Sequence, residues 1–146
     1  MITESCHPRE ATLLLVDDDD VDVMGIRRAL KKLGISNPLV RAHDGQEALT
    51  MLRTPGVVHR PYIIILDINM PRMNGLEMMA ELRKDPDLSR AVVFVLTTSK
   101  TDEDKLAAYD QHIAGYIVKT ELGDGFTGIV DMLDRYWRNV ELPLLC

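Results

Sequence analysis

This sequence has few aromatic residues, almost no cysteine, no long apolar run and no excess of positive charge. Its 146 residues include two phenylalanines, four tyrosines and a single tryptophan, so any core must be built mainly from aliphatic side chains. The two cysteines, Cys6 and Cys146, stand near opposite ends. That excludes the paired staples of a small disulfide-rich secreted domain and predicts reduced thiols in a cytoplasmic protein. No charged-then-apolar leader opens the chain, so no signal peptide is expected. Runs such as YIIIL are far too short to span a bilayer, and no membrane association is expected. There are 17 Lys and Arg against 23 Asp and Glu, a net charge of −6. A nucleic-acid-binding face is basic, so nucleic acid is not an expected partner.

What remains fits one soluble globular domain: 46% hydrophobic and 27% charged residues, at a length that can bury a substantial core. Residues 1–10 read as a flexible leader, 11–140 as the domain and 141–146 as a tail. Apolar runs alternate with amphipathic stretches through the domain. ATLLLV (11–16) reads as a strand. Val23, Ile26, Leu30 and Leu33 then fall three or four apart, which puts them on one helix face, and Gly34 stops that helix. PLVRA (38–42) is a short strand. DGQEALTMLR (44–53) is a helix, with Asp44 and Glu47 spaced as a capping box. YIIIL (62–66) does not alternate, so both its faces should be buried, as in a central parallel strand. A helix over 75–83, the strand AVVFVL (91–96), a helix over 101–109 and the strand GYIV (115–118) follow. Phe126, Ile129, Val130, Leu133 and Trp137 mark a last helical stripe. The alternation predicts an α/β fold, a parallel sheet with helices on both faces.

Chemistry in such a sheet collects beyond the carboxyl ends of the strands. The first strand ends in Asp17 and Asp18, the third in Asp67, the fourth in Thr97, Thr98 and Ser99, and the fifth in Lys119. Carboxylates brought together resist ionisation unless compensated. Lys119 supplies one positive charge. A hard divalent cation with oxygen ligands supplies the rest, and Mg²⁺ suits a small, partly hydrated carboxylate site. Such a site can stabilise a phosphoryl group, and a carboxylate held there can become an acyl phosphate. Thr97 can donate to phosphoryl oxygens and Lys119 can pair with them.

In this order and spacing, LLLVDDD, IIILDINMPRMNG, VFVLTTS and GYIVK resemble the receiver domain of two-component response regulators. The resemblance covers roughly residues 11–140. It implies a flavodoxin-like, doubly wound five-stranded sheet of order 2-1-3-4-5. By position it implies Asp67 as phosphoacceptor, Asp18 as a direct Mg²⁺ ligand, Asp17 acting through water, and the Asn69 carbonyl as a further ligand. Thr97 and Lys119 become the phosphoryl-sensing pair and Tyr116 an aromatic switch; Tyr116 also reads as a plain half-buried tyrosine. The implied function is that of a switch, not an enzyme: it accepts a phosphoryl group from a histidine kinase and loses it by slow hydrolysis. Only 27 residues follow Lys119, too few for a DNA-binding output domain, so output is expected through protein contacts or a phosphorelay protein.

More finely, VLTTSKTDEDKLAAYD and YWRNVELP look like the stand-alone regulators of bacterial phytochrome kinases, which often dimerise. A homodimer surface is accordingly expected at Phe126, Val130, Leu133 and Trp137, with Met132, Tyr136, Val140 and the tail residues Leu142, Leu144 and Leu145 adding apolar area. Trp137 also reads as a core anchor. One departure stands out: receivers usually carry proline after the lysine, where this chain has Thr120, which leaves the following loop's shape open.

A different class also matches part of the pattern. LLLVDDDDV satisfies the Asp-x-Asp-x-Thr/Val signature of haloacid-dehalogenase-like phosphatases, with Asp17 as nucleophile and Asp19 and Val21 following. Thr97, Lys119, Asp124 and Asp131 could be pressed into its remaining roles, but DINMPRMNG is then unexplained. Asp19, Asp20 and Asp22 read as solvated acids at a helix N-terminus. His7, His43, His59 and His112 show no ligand spacing.

Overall fold

The computed structural model describes residues 11–70, 73–122, 125–140 and 142. The leader, the end of the tail, Asp124 and both cysteines therefore lie outside the described residues. Five strands, β1 (Thr12–Val16), β2 (Leu39–Ala42), β3 (Tyr62–Leu66), β4 (Val92–Thr97) and β5 (Gly115–Val118), alternate with α1 (Asp20–Lys32), α2 (Gly45–Arg53), α3 (Gly75–Lys84), α4 (Asp102–Asp110) and α5 (Thr127–Asn139). All strand pairs are parallel, in the order β2-β1-β3-β4-β5. This is the flavodoxin-like order expected from the resemblance.

Local chemistry explains the helix starts. Asp19 caps α1 by accepting from the Val21 and Asp22 amides. Asn74 and Glu77 form a full capping box at α3, and Thr101 caps α4. At α2 the expected box is half formed. Asp44 accepts from the Glu47 amide, but Glu47 reaches the amide and ring of His43 instead of the cap's own amide.

The sheet divides the core in two. One face packs Leu13, Leu15, Ile63, Ile65, Phe94 and Leu96 against α1 and α5. The other packs Leu14, Val16, Ile64, Leu66, Val93 and Val95 against α2, α3 and α4. Parallel strands covered on both sides have no polar face, which is why these runs do not alternate.

The last helix corrects one expectation. Val130 and Leu133 are buried and Trp137 is 0% exposed within this single chain. Phe126 packs against the same core, its ring lying where a Cβ on Gly25 of α1 would sit, 2.7 Å away. Leu142 is buried too, and the partly buried Val140 packs against the same cluster. The stripe expected to be a dimer surface instead closes the α1–α5 face. That face of the sheet, together with α1, takes the whole stripe and Leu142, which helical periodicity cannot reveal. Leu144 and Leu145 lie outside the described residues. Among the described residues no helix is long and apolar enough to cross a membrane.

Candidate functional site

Sheet register builds the site. Val16 pairs with Leu66 and Leu66 with Val95, so the residues just beyond β1 and β3 emerge side by side. The Asp67 amide donates to the Val16 carbonyl at 2.9 Å, and the Asp17 amide to the Ala42 carbonyl at 3.0 Å. Both carboxylates are buried, at 1% exposure for Asp17 and 6% for Asp67. Asp18 stands at the solvent side. One carboxylate oxygen from each of Asp17, Asp18 and Asp67 lies within 4.8 Å of the others. Hard oxygen donors at that spacing, two buried and one facing water, fit a divalent cation that keeps part of its hydration.

Lys119 completes the charge balance. Its Nζ donates to Asp17 Oδ2 at 2.8 Å, Asp22 Oδ2 at 2.7 Å and Asp67 Oδ2 at 3.0 Å. Burial works against the ammonium, but the hydrogen bonds to Asp17 and Asp22 and the charges of Asp17 and Asp67 outweigh it and hold the Lys119 pKa above the ordinary lysine range. Burial pushes the Asp17 carboxyl up, against the opposing bond from Lys119. Lys119 opens a 3-10 turn, Lys119–Glu121. The loop whose shape Thr120 left open is thus a short helical turn, and the one cis peptide among the described residues is Arg60–Pro61.

Two backbone features hold the acceptor loop. The Asn69 amide donates to Asp67 Oδ1 at 3.0 Å, which curls the loop back over the carboxylate. Gly75, at the start of α3, lies so close that a Cβ there would stand 2.6 Å from the Asp67 carbonyl oxygen and 2.7 Å from the Ile68 Cα. Only glycine allows that approach.

Thr97 is the last residue of β4 and is 0% exposed. Its Oγ1 accepts from the Ser99 amide at 3.4 Å. The half-buried Tyr116 of β5 donates its hydroxyl to the Ser99 carbonyl at 2.9 Å. Ser99 therefore bridges Thr97 and Tyr116, the residue expected as the aromatic switch, and its hydroxyl also bonds Asp104 of α4. Sequence reading placed Ser99 among the hydroxyls ending the fourth strand but gave it no role of its own, and it passed over Asp104. It also took Asp22 as a solvated acid, where the structure places its carboxylate on Lys119. Arg41 was missed as well: its Nε donates to the Asp17 carbonyl at 2.9 Å and its Nη2 pairs with Asp20 at 2.8 Å. Asp22 and Arg41 could have been suspected only from their distance to a strand end, since neither belongs to a recognisable motif.

Among the described residues the phosphatase roles are not assembled. Asp19 spends its carboxylate on the α1 cap, and Asp131 forms an exposed pair with Arg135 one helical turn away.

An acidic trio, a buried carboxylate beside an ammonium and a hydroxyl on the neighbouring strand end, set on a 2-1-3-4-5 sheet, define a phosphoacceptor module. The pattern of the response regulator receiver domain matches residues 13–128, and the chain belongs to that family. It is 34% identical to the response regulator Rcp1 of Synechocystis sp. over 98% of this chain and 99% of Rcp1. It is 32% identical to the probable methanogenesis regulatory protein FilR2 of Methanothrix harundinacea, over 86% of this chain and 82% of that one. Among solved structures, the Mn²⁺-bound form of Rcp1 superposes with a TM-score of 0.80, covering 91% of this chain and 99% of that one at 34% identity. The phosphorylated cyanobacterial phytochrome response regulator RcpA does so with a TM-score of 0.81, covering 92% and 99% at 32% identity.

Proposed function

We propose that this chain is a stand-alone response regulator that accepts a phosphoryl group on Asp67 from a histidine kinase of the phytochrome type. A carboxylate oxygen of Asp67 attacks phosphorus, the bond to the kinase histidine breaks, and an acyl phosphate results. Asp17, Asp18, Asp67 and the Asn69 carbonyl hold the cation, with Mg²⁺ as the physiological ion, and the bound cation offsets the negative charge of the transferring group. Lys119 and the Thr97 hydroxyl take the phosphoryl oxygens, and Tyr116 relays the change. Hydrolysis of the acyl phosphate at this same site resets the switch, with no other catalytic activity. The carrying observation is the buried Asp67 carboxylate, 3.0 Å from Lys119 and within the acidic trio. The phytochrome link rests on the likeness to Rcp1 and RcpA.

Incubation with acetyl phosphate and Mg²⁺, borohydride trapping and peptide mapping test the assignment. Label on Asp67 is expected. Label on Asp17 would reject it. A photoreceptor kinase that phosphorylates this chain tests the partner.

A cytoplasmic homodimer completes the proposal, with its surface moved. Val130, Leu133 and Trp137 are used up in the core, whereas Leu106 and Tyr109 of α4 and Met132 of α5 remain exposed. Exposed apolar side chains of this kind favour contact with a second copy. Output then passes through protein contacts or a phosphorelay protein.

A further inference from the structure

We infer that Asp22 is a positioning residue that competes with the phosphoryl group for Lys119 and so limits how tightly the site holds that group. The inference rests on the phosphoacceptor reading of Asp67 and concerns the regulation of that same site.

A lysine ammonium has three N–H donors and no acceptor. Here all three are engaged, by Asp17, Asp22 and Asp67. A phosphoryl oxygen on Asp67 reaches Lys119 only by taking over one of those donors. The three carboxylates differ in what their release costs. Asp17 is 1% exposed in its side chain, and its other oxygen is occupied by the Asp19 amide. Stripped of Lys119, its Oδ2 would be a buried charge without a protein donor, which is expensive. Asp67 is the group being modified. Asp22 is the remaining partner, and its side chain is 20% exposed. Water can replace Lys119 there, so Asp22 is the partner that yields.

Charge places Asp22 in competition too. Asp17 and Asp67 belong to the trio suited to a cation. Asp22 does not. It comes from the first turn of α1, at the third helical position after the Asp19 cap. A divalent cation on the trio would offset the charges of Asp17 and Asp67, while Asp22 lies outside the trio and holds a 2.7 Å bond to Lys119. A phosphoryl group then meets an ammonium still bonded to a carboxylate outside the cation trio, and that carboxylate also repels it.

Asp22→Asn keeps the shape and removes the charge. Asp20→Asn is the matched comparison: it removes an equal charge from the same helical turn, on a side chain 79% exposed and paired with Arg41 rather than Lys119. Affinity for beryllofluoride, a phosphoryl mimic, is measured by calorimetry with saturating Mg²⁺. Asp22→Asn should bind it about fivefold or more tightly than the unmodified protein, the scale of one charge contact at a partly exposed site. Asp20→Asn should change it much less. In a Lys119→Met background the effect of Asp22→Asn should fall to that of Asp20→Asn. A second readout needs neither metal nor mimic. Side-chain ¹⁵N spectra of the metal-free protein should show the Lys119 ammonium protons protected from exchange, and Asp22→Asn should speed their exchange.

Unchanged or weaker beryllofluoride binding in Asp22→Asn overturns the inference. So does an equal gain from Asp20→Asn, or a gain that survives Lys119→Met. A starting protein that binds no beryllofluoride overturns the phosphoacceptor reading itself, and the inference with it.

Discussion

Lys119 and Asp67, 52 positions apart in the chain, are joined by a 3.0 Å bond between Nζ and Oδ2 in a pocket where their side chains are 8% and 7% exposed. Nothing local brings them together. β3 delivers the acid and β5 delivers the ammonium, and β4 lies between the two strands. The bond fixes the Asp67 side chain at the carboxyl edge of the sheet, with Lys119 beside it. Asp67→Asn should therefore abolish acetyl-phosphate labelling while leaving the fold intact, with phosphate incorporation and far-UV circular dichroism as the two measurements.

The acidic trio should bind metal unequally with respect to its neighbour. Asp18→Ala removes a member of the trio; Asp22→Ala removes a carboxylate outside it. Asp18→Ala is expected to weaken Mg²⁺ binding by about tenfold or more, on the scale of losses at metal sites, and Asp22→Ala by clearly less. Isothermal titration of the metal-free protein with Mg²⁺ measures both. Equal losses would remove Asp18 from the ligand set.

Gly75 holds the acceptor loop against α3. A methyl group there would stand 2.6 Å from a carbonyl oxygen and 2.7 Å from a backbone carbon, and backbone cannot rotate away as a side chain can. Gly75→Ala should cost about 1–3 kcal/mol of stability, the usual range for overpacking, and should slow labelling of Asp67 because the loop itself must shift. Urea unfolding and a labelling time course report the two effects separately.

Thr97, Ser99 and Tyr116 form a chain of contacts from the strand ends toward α4. Beryllofluoride should alter amide exchange from Thr101 to Val118, and Thr97→Ala should blunt that response. An equal response in both proteins would show that the change does not pass through Thr97.

Trp137 is 0% exposed, and its indole Nε1 has no hydrogen-bond partner among the described residues, so the favourable part of its contribution is packing. Trp137→Ala should destabilise the protein by about 3–5 kcal/mol. Sedimentation of the intact protein at micromolar concentration tests association separately. Dimerisation blocked by Leu106→Glu or Met132→Glu, with stability retained, would place the contact on the exposed side chains.

Much of the fold was legible because periodicity and burial are local signals. YIIIL and VVFVL lack alternation, since both faces of a parallel strand are covered, and α1 shows its inward face at Val23, Ile26 and Leu30. The site residues were legible for a related reason: in this architecture a polar residue at or just after the end of an apolar strand stands at the sheet's carboxyl edge, so Asp17, Asp67 and Thr97 could be placed by position. What the sequence could not settle were matters of distance across the fold. Whether Trp137 faced a partner or its own core depended on how wide a surface β1, β3 and β4 present to α5. The roles of Asp22, Arg41 and Ser99 depended on which donors and acceptors three separate elements bring within 3.5 Å. An acidic side chain on a helix reads the same whether it faces water or a lysine 97 positions later, because only tertiary packing puts that lysine beside it.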